Sequence, residues 1–264
     1  MKKAVAYMEQ RKEKLMAILQ LPPPEFEPET FHLLRVEIKK IRAVMVLVGK
    51  LNPNCLPSKK YRHPLRQVFK SAGVIREKQI ESAFIQSVLP EDDGATLLLL
   101  QLEETETAQK AEFRQLINDN VLHRIGQLAH KLSACLAQLD KKRVKEWMQR
   151  KSHKLLQKIK HLQEKAADWH EVRKQLKVHN YLTACTGFTT APWQPEKIAE
   201  LQELLGKWHD CHAMIKSFQQ QTKAKQTPFV KEALHRLIRH LTSQQQTIVQ
   251  QITTLAASFG AEPQ

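Results

Sequence analysis

Leucine, isoleucine, valine and methionine recur at three- and four-residue spacing along almost the whole chain, and runs of β-branched residues in strict alternation are hard to find. That period belongs to an α-helix with one buried stripe, so the pattern predicts an all-α protein. Breaks fall at LPPPEFEPET (21–30), NPNCLP (52–57), LPEDDG (89–94), LDKK (139–142), TGFTTAPWQP (186–195) and QTKAKQTP (221–228), where proline, glycine and small polar residues interrupt the stripe. The intervals predict nine helices at roughly 2–20, 30–50, 58–88, 95–118, 119–138, 142–166, 168–185, 195–220 and 229–258. Several of these exceed the average helix and suit bundles with lengthwise grooves.

Within this pattern one unit occurs twice. FHLLRVEIKKIRA (31–43) and WHEVRKQLKVHNY (169–181) align His32 with His170, Arg35 with Arg173, Lys39 with Lys177 and Arg42 with Asn180. The helix that follows each repeats as well: AGVIREKQI (72–80) pairs with LGKWHDCHA (205–213), matching Gly73 with Gly206, Arg76 with His209 and Glu77 with Asp210. Self-similarity over so long an interval points to duplication of a whole helical bundle with pseudo-twofold character, not to a solenoid of short repeats. The expected organisation is one domain over 1–264, with halves at about 1–138 and 142–264.

Charge changes the picture next. The 264 residues carry 42 Lys plus Arg against 27 Asp plus Glu, a net charge of +15. A field of that sign draws anions: nucleic acid, anionic lipid or a phosphate-rich ligand. Helix geometry of about 100° per residue places Arg35, Lys39 and Arg42 within about 80° of His32 on one side and Lys40 about 80° away on the other. Leu34, Ile41, Val44, Met45 and Val48 gather on the opposite face. Like charges one turn apart repel, and an anionic ligand relieves that repulsion. The second copy keeps His170, Arg173 and Lys177 but has Val178 and Asn180 at the far end, so it is expected to attract anions less strongly. A third cationic stripe, Arg143, Arg150, Lys154, His161 and Lys165 with Lys158 nearby, lies opposite Val144, Met148, Leu155, Ile159 and Leu162 and would run about 33 Å. Evenly spaced cations along a rod form a track for a linear polyanion. Each stripe taken alone is also what an ordinary solvated helix face looks like.

Candidate chemistry of other kinds is sparse. Cys55, Cys135, Cys185 and Cys211 are scattered without a C-x-x-C pair, which indicates neither a disulfide framework nor a zinc knuckle and suits a reducing interior. The N-terminal twenty residues carry recurrent charge, leaving no apolar core for a signal peptide, and no segment reaches the length of a membrane span. Cytoplasmic residence and no membrane partner are expected. His209, Asp210 and His212 in WHDCH offer metal donors, but no residue at i+4 completes the set, so no metal and no other cofactor is assigned. Glu37, on the apolar side of its helix, reads as a buried partner for an inner arginine in preference to a catalytic base; Glu77 and Asp210 read as carboxylates that orient cations. His32 and His170 admit two roles, as anion ligands or as buried residues orienting the neighbouring arginine.

The repeated H-x-x-R-x-x-x-K element with further Lys and Arg, followed by a G-x-x-R-D-like element, resembles the CHAD family, the conserved histidine α-helical domain. The match is carried by His32, Arg35, Lys39, Lys40, Arg42, Gly73 and Arg76, then by His170, Arg173, Lys177, Gly206 and Asp210. It implies two four-helix bundles facing each other across a basic central cavity, and binding of inorganic polyphosphate without catalysis. Residues expected to bind are His32, Arg35, Lys39, Lys40, Arg42, Arg76, Arg143, Arg150, Lys154, His170, Arg173, Lys177 and His209. The sequence departs from the family pattern at Glu77, where the family usually has Asp, at His209, where it often has Arg or Asn, and at Asn180, where it usually has Arg. The chain contains no Gly-rich phosphate loop, no H-E-x-x-H, no G-x-S-x-G and no E-x-E-x-K of the triphosphate tunnel enzymes often fused to this family, so it is expected not to be an enzyme. Nucleic acid is the competing ligand, disfavoured because aromatic residues make up only 6% of the chain and are nearly absent from the basic stripes. A phosphate-processing, metal-dependent enzyme is the third reading. Association with polyphosphate granules follows as an expectation from the first.

Overall fold

The computed structural model describes residues 1–22, 26–162, 166–188 and 194–259. Among the described residues the chain is all α, with nine α-helices and no strand. They are α1 (Lys2–Leu19), α2 (Pro28–Leu51), α3 (Lys59–Val88), α4 (Asp93–Leu116), α5 (Asp119–Ala137), α6 (Lys141–Lys160), α7 (Ala166–Thr186), α8 (Pro195–Thr222) and α9 (Pro228–Ser258), with a short 3₁₀ turn at Pro53–Cys55. The bounds follow the apolar periodicity closely except at α6. That helix was expected to reach 166 and stops at Lys160, because the last turn tightens: the Leu162 N–H reaches the Ile159 carbonyl only three residues back, at 3.1 Å. Lys165, the last member of the α6 stripe, lies outside the described residues, as do parts of the expected breaks at 21–30 and 186–195.

The chain packs as two compact units. Unit 1 comprises Met1–Ile80, Glu103–Gln149 and Val178–Thr189, and unit 2 comprises Glu81–Leu102, Arg150–Lys177 and Thr190–Gln264. Each unit draws on both of the sequence halves expected at about 1–138 and 142–264.

In unit 1, α1 packs against α2 and α5. Proline at the first position of α2 loses nothing by lacking an N–H there, and Phe31, Leu34, Ile38, Ile41, Val44, Leu47 and Val48 then form one buried stripe. Phe26, Phe31 and Phe113 meet with ring centroids 5.2–5.5 Å apart. One charged residue interrupts the stripe. Both oxygens of Glu37 accept from Arg11 Nη1 at 3.1 Å, and Lys40 Nζ donates to Glu37 Oε1 at 2.7 Å. Glu37 is thus the buried partner of an inner arginine, and its neighbours compensate a carboxylate that would otherwise be costly to bury.

Two of the four cysteines correct the sequence reading. Cys55 and Cys135 form a disulfide across 80 residues of chain, with Cα atoms 5.7 Å apart, while Cys185 and Cys211 are free and buried. No local spacing announces such a pair: packing brings the 3₁₀ turn after α2 onto α5. Burial pushes the Cys185 thiol up to about 12.

In unit 2, α8 packs along α9. Its core joins Leu155 and Ile159 of α6, Trp169, Val172 and Leu176 of α7, and Leu201, Leu205 and Trp208 of α8. Trp169 and Trp208 meet edge to face at 5.2 Å. No described helix is long and apolar enough to cross a membrane.

Candidate anion-binding sites

The cationic side of α2 is met in unit 1 by one face of α3. Arg35 Nη1 donates to the Phe69 carbonyl at 3.2 Å, and its guanidinium lies 4.6 Å from the centroid of the Phe69 ring. Arg42 packs on the same ring at 4.8 Å. Glycine at 73 is what allows Arg35 into this position: a Cβ there would stand 2.1 Å from Arg35 Nη1. Arg76 reaches the Pro28 carbonyl through Nη1 at 3.5 Å, and its Nε is buried with no hydrogen-bond partner among the described residues.

These guanidiniums strain one another electrostatically. Burial pulls the Arg35 pKa below its ordinary value, with Arg76 and Arg42 adding repulsion and Glu77 opposing it. Burial likewise lowers Arg42, and Arg66 adds to the effect. Two part-buried guanidiniums, Arg35 and Arg42, are thus held beside further positive charge, and one buried donor, Arg76 Nε, is left without a partner among the described residues.

Unit 2 holds a second cluster with different internal wiring. The His170 and His209 rings stack at 5.2 Å with planes 14° apart. His209 Nδ1 lies 3.1 Å from Asp210 Oδ1, and Arg173 Nη2 lies 3.9 Å from the same oxygen. Burial works against the Asp210 charge, yet the His209 contact and the Arg173, His209 and Lys177 charges together hold its carboxyl below the usual range. Burial lowers Lys177, Arg173 lowers it further, and Asp210 pulls the other way. His170 is lowered by burial first, then by Lys174, His209 and Arg173.

The sequence profile of the CHAD domain family matches residues 24–191. The chain belongs to the CHAD domain family. No curated protein matches. Among solved structures, the CHAD domain from the plant Ricinus communis is similar to this chain with a TM-score of 0.76 at 18% identity, over 99% of this chain and 92% of that one. PptA from Streptomyces chartreusis is similar with a TM-score of 0.64 at 14% identity, over 96% and 98% of the two chains. At these identities the likeness shows a shared fold.

The CHAD motif residues are distributed as follows. Unit 1 brings Arg35 and Arg42 onto Phe69, with Gly73 against Arg35 and Arg76 close enough to repel it, and with His32 exposed and Lys39 half-buried on the same side of α2. Lys40 does not join them, because its ammonium is bound to Glu37. Unit 2 brings His170, Arg173, Lys177 and His209 together, with Asp210 as the carboxylate that orients them. His212 instead stacks on Trp208 at 5.3 Å, so the two histidines of WHDCH are held by different partners. Among the described residues no group of three His, Cys, Asp or Glu side chains could hold a metal ion. On α6, Arg143 belongs to unit 1, Arg150 and Lys154 belong to unit 2, and all three are exposed opposite buried Val144, Met148, Leu155 and Ile159. Lys158, one turn further, is close enough to help lower Glu171 on α7.

Two members of the unit 1 cluster escaped the motif reading, Arg66 and Phe69. The signal was present: Arg66, Phe69, Gly73 and Arg76 step by three, four and three and so share a face of α3. At the aligned positions before Gly206 the second copy has Ala199 and Gln202.

Proposed function

We propose that this CHAD protein binds inorganic polyphosphate without chemically altering it. The observation that carries the reading is the convergence of Arg35 and Arg42 on Phe69, with Arg66 and Arg76 close enough to lower their pKa values. A chain of phosphates presents closely repeated negative oxygens with no apolar portion, and planar guanidinium forks suit such oxygens. The unit 1 cluster consists of guanidinium donors resting on an aromatic support, which favours gripping an anion over reacting with it. Membership of the CHAD family agrees with this ligand. Association with polyphosphate granules is the setting that the same ligand would give it, while the Cys55–Cys135 bond removes the reducing-interior argument for the cytoplasm.

Nucleic acid is the competing ligand, and Phe69 weighs against it. That ring is the aromatic at the centre of the unit 1 cluster, and two guanidiniums already pack on it, so it offers no platform for base stacking. Competition at fixed salt tests the choice. Long-chain polyphosphate is expected to displace labelled polyphosphate at far lower phosphate concentration than single-stranded or duplex nucleic acid does; equal potency would refute the assignment. Incubation with polyphosphate and a divalent cation is expected to release no phosphate, and steady release that scales with enzyme concentration would make the protein an enzyme.

A further inference from the structure

A groove in unit 1 shares no residue with the α2–α3 cluster. It lies where α1, α5 and the start of α3 meet, an open surface groove of about 560 Å³. Its apolar lining is Met16, Leu122 and the backbone at Gly126, where a Cβ would meet nothing within 4 Å. Lys12, His123, His130 and Lys131 supply cationic and titratable groups, and Tyr61 closes one end.

Two further features order this rim. Tyr61 draws in two ammonium groups, Lys60 Nζ at 5.0 Å and Lys131 Nζ at 5.1 Å from its ring centroid, and of these Lys131 lines the groove. A second cavity of about 340 Å³ is also lined by Tyr61 and Lys131 and is walled by Cys55 and Cys135. The disulfide therefore ties the segment leading into α3 to α5 four residues from Lys131, fixing the two walls to each other. Glu9, the carboxylate that touches Lys12, is already occupied: it accepts from Ser133 Oγ at 2.6 Å and from Lys12 at 3.4 Å.

We propose that this groove binds a compact anion with an apolar or aromatic portion, of the chemical class of a nucleoside phosphate. Its phosphates face Lys131 and His130, and its flat ring lies against Met16, Leu122 and the backbone at Gly126. Inorganic polyphosphate suits the groove less well, because it would cover Met16 and Leu122 and return no apolar contact. The volume falls in the range of about 300–1,000 Å³ typical of small-molecule sites. The site stands independently of the polyphosphate reading.

The test is calorimetric titration of the full chain with ADP, with adenosine and tripolyphosphate as partial ligands. ADP is expected to bind, and more tightly than adenosine. Gly126→Leu adds a side chain into open space, so it is expected to fill the groove, weaken ADP by at least about tenfold and leave both the thermal melt and the affinity for long polyphosphate in place. Lys131→Gln reads the anionic half of the same ligand and is expected to weaken ADP while sparing adenosine, which keeps the idea testable should the leucine disturb folding. Absence of ADP binding at millimolar concentration overturns the proposal. So does ADP binding that survives Gly126→Leu in a folded protein but is lost in Arg42→Gln, since the nucleotide would then sit in the α2–α3 cluster.

Discussion

Gly73→Ala and Gly206→Ala are the same chemical change at two aligned motif positions, and the structure predicts opposite outcomes. Both glycines lie inside helices, α3 and α8. Alanine in a helix interior is favoured over glycine by about 1 kcal/mol. At Gly206 a Cβ meets nothing within 4 Å, so that gain should be realised and Gly206→Ala should raise stability by about that amount. At Gly73 the Cβ would lie 2.1 Å from Arg35 Nη1, and the guanidinium must move. Moving it breaks a charged hydrogen bond to the Phe69 carbonyl, worth about 1.5–3 kcal/mol, and the packing on the Phe69 ring, worth about 0.5–1 kcal/mol. Relief of Arg35 desolvation and the helix-propensity gain offset part of this, leaving a net loss of about 1 kcal/mol. The affinity for polyphosphate should fall about tenfold or more, since a charge-assisted contact is worth about 1.5–3 kcal/mol and about 1.4 kcal/mol is a factor of ten. Urea melts of both variants, repeated in an Arg35→Gln background, give the assay. With Arg35 shortened, Gly73→Ala should become stabilising like its counterpart. If Gly73→Ala is at least as stable as wild type and binds polyphosphate unchanged, the claim that Gly73 exists to admit Arg35 is wrong.

The two clusters should contribute unequally: replacing Arg35 and Lys39 by Gln should weaken polyphosphate binding more than replacing Arg173 and Lys177, because unit 1 adds Arg42 and Arg66 where the aligned positions are Asn180 and Ala199, and equal losses in folded proteins would refute this. Arg150→Gln with Lys154→Gln should lower affinity for long polyphosphate more than for tripolyphosphate, since exposed cations along α6 matter only to a ligand with reach, and a chain-length series with melts as control decides it. His170 is held below its ordinary value by burial and by Lys174, His209 and Arg173, so in the free protein it stays neutral to lower pH than in the unfolded chain and removes stability as pH falls below about 6.5. A bound polyanion favours the charged ring, so binding should take up protons and tighten as pH falls into the range where His170 charges, an effect measurable in buffers of different ionisation enthalpy and lost in His170→Gln. Reducing the Cys55–Cys135 bond, or Cys55→Ser with Cys135→Ser, should destabilise the protein by up to about 4 kcal/mol from the loop it closes, and an unchanged denaturation midpoint would show that the bond does not constrain the unfolded chain.

Which features the sequence disclosed follows from the range of each interaction. Helix positions were legible because Phe31, Leu34, Ile38, Ile41 and their counterparts report a local period, and Glu37 stood out as a charge on the apolar stripe. The α2 cations were legible for the same reason, except Lys40, whose partner Glu37 lies on its own helix at i−3 and could have been read as a pair. The end of α6 was not legible, since its cationic spacing continues past Lys160 in sequence while the backbone turns. The Cys55–Cys135 bond joins residues 80 apart and depends on how α5 packs, which no local pattern encodes. Arg66 and Phe69 were hidden for a different reason: their role appears only when the α3 face meets α2, where a phenylalanine inside a basic face becomes the support on which two arginines rest.

The most direct test of the central claim is the affinity of wild-type protein for long-chain polyphosphate measured across a tenfold range of monovalent salt. If Arg35, Arg42, Arg66 and Arg76 neutralise phosphates and release condensed counterions, unit 1 alone should give a log–log slope of magnitude about 3, by analogy with nucleic acids, and the other cations should steepen it. Tight binding with a slope near zero would contradict the account, because it would mean that the unit 1 arginines do not hold the ligand through charge.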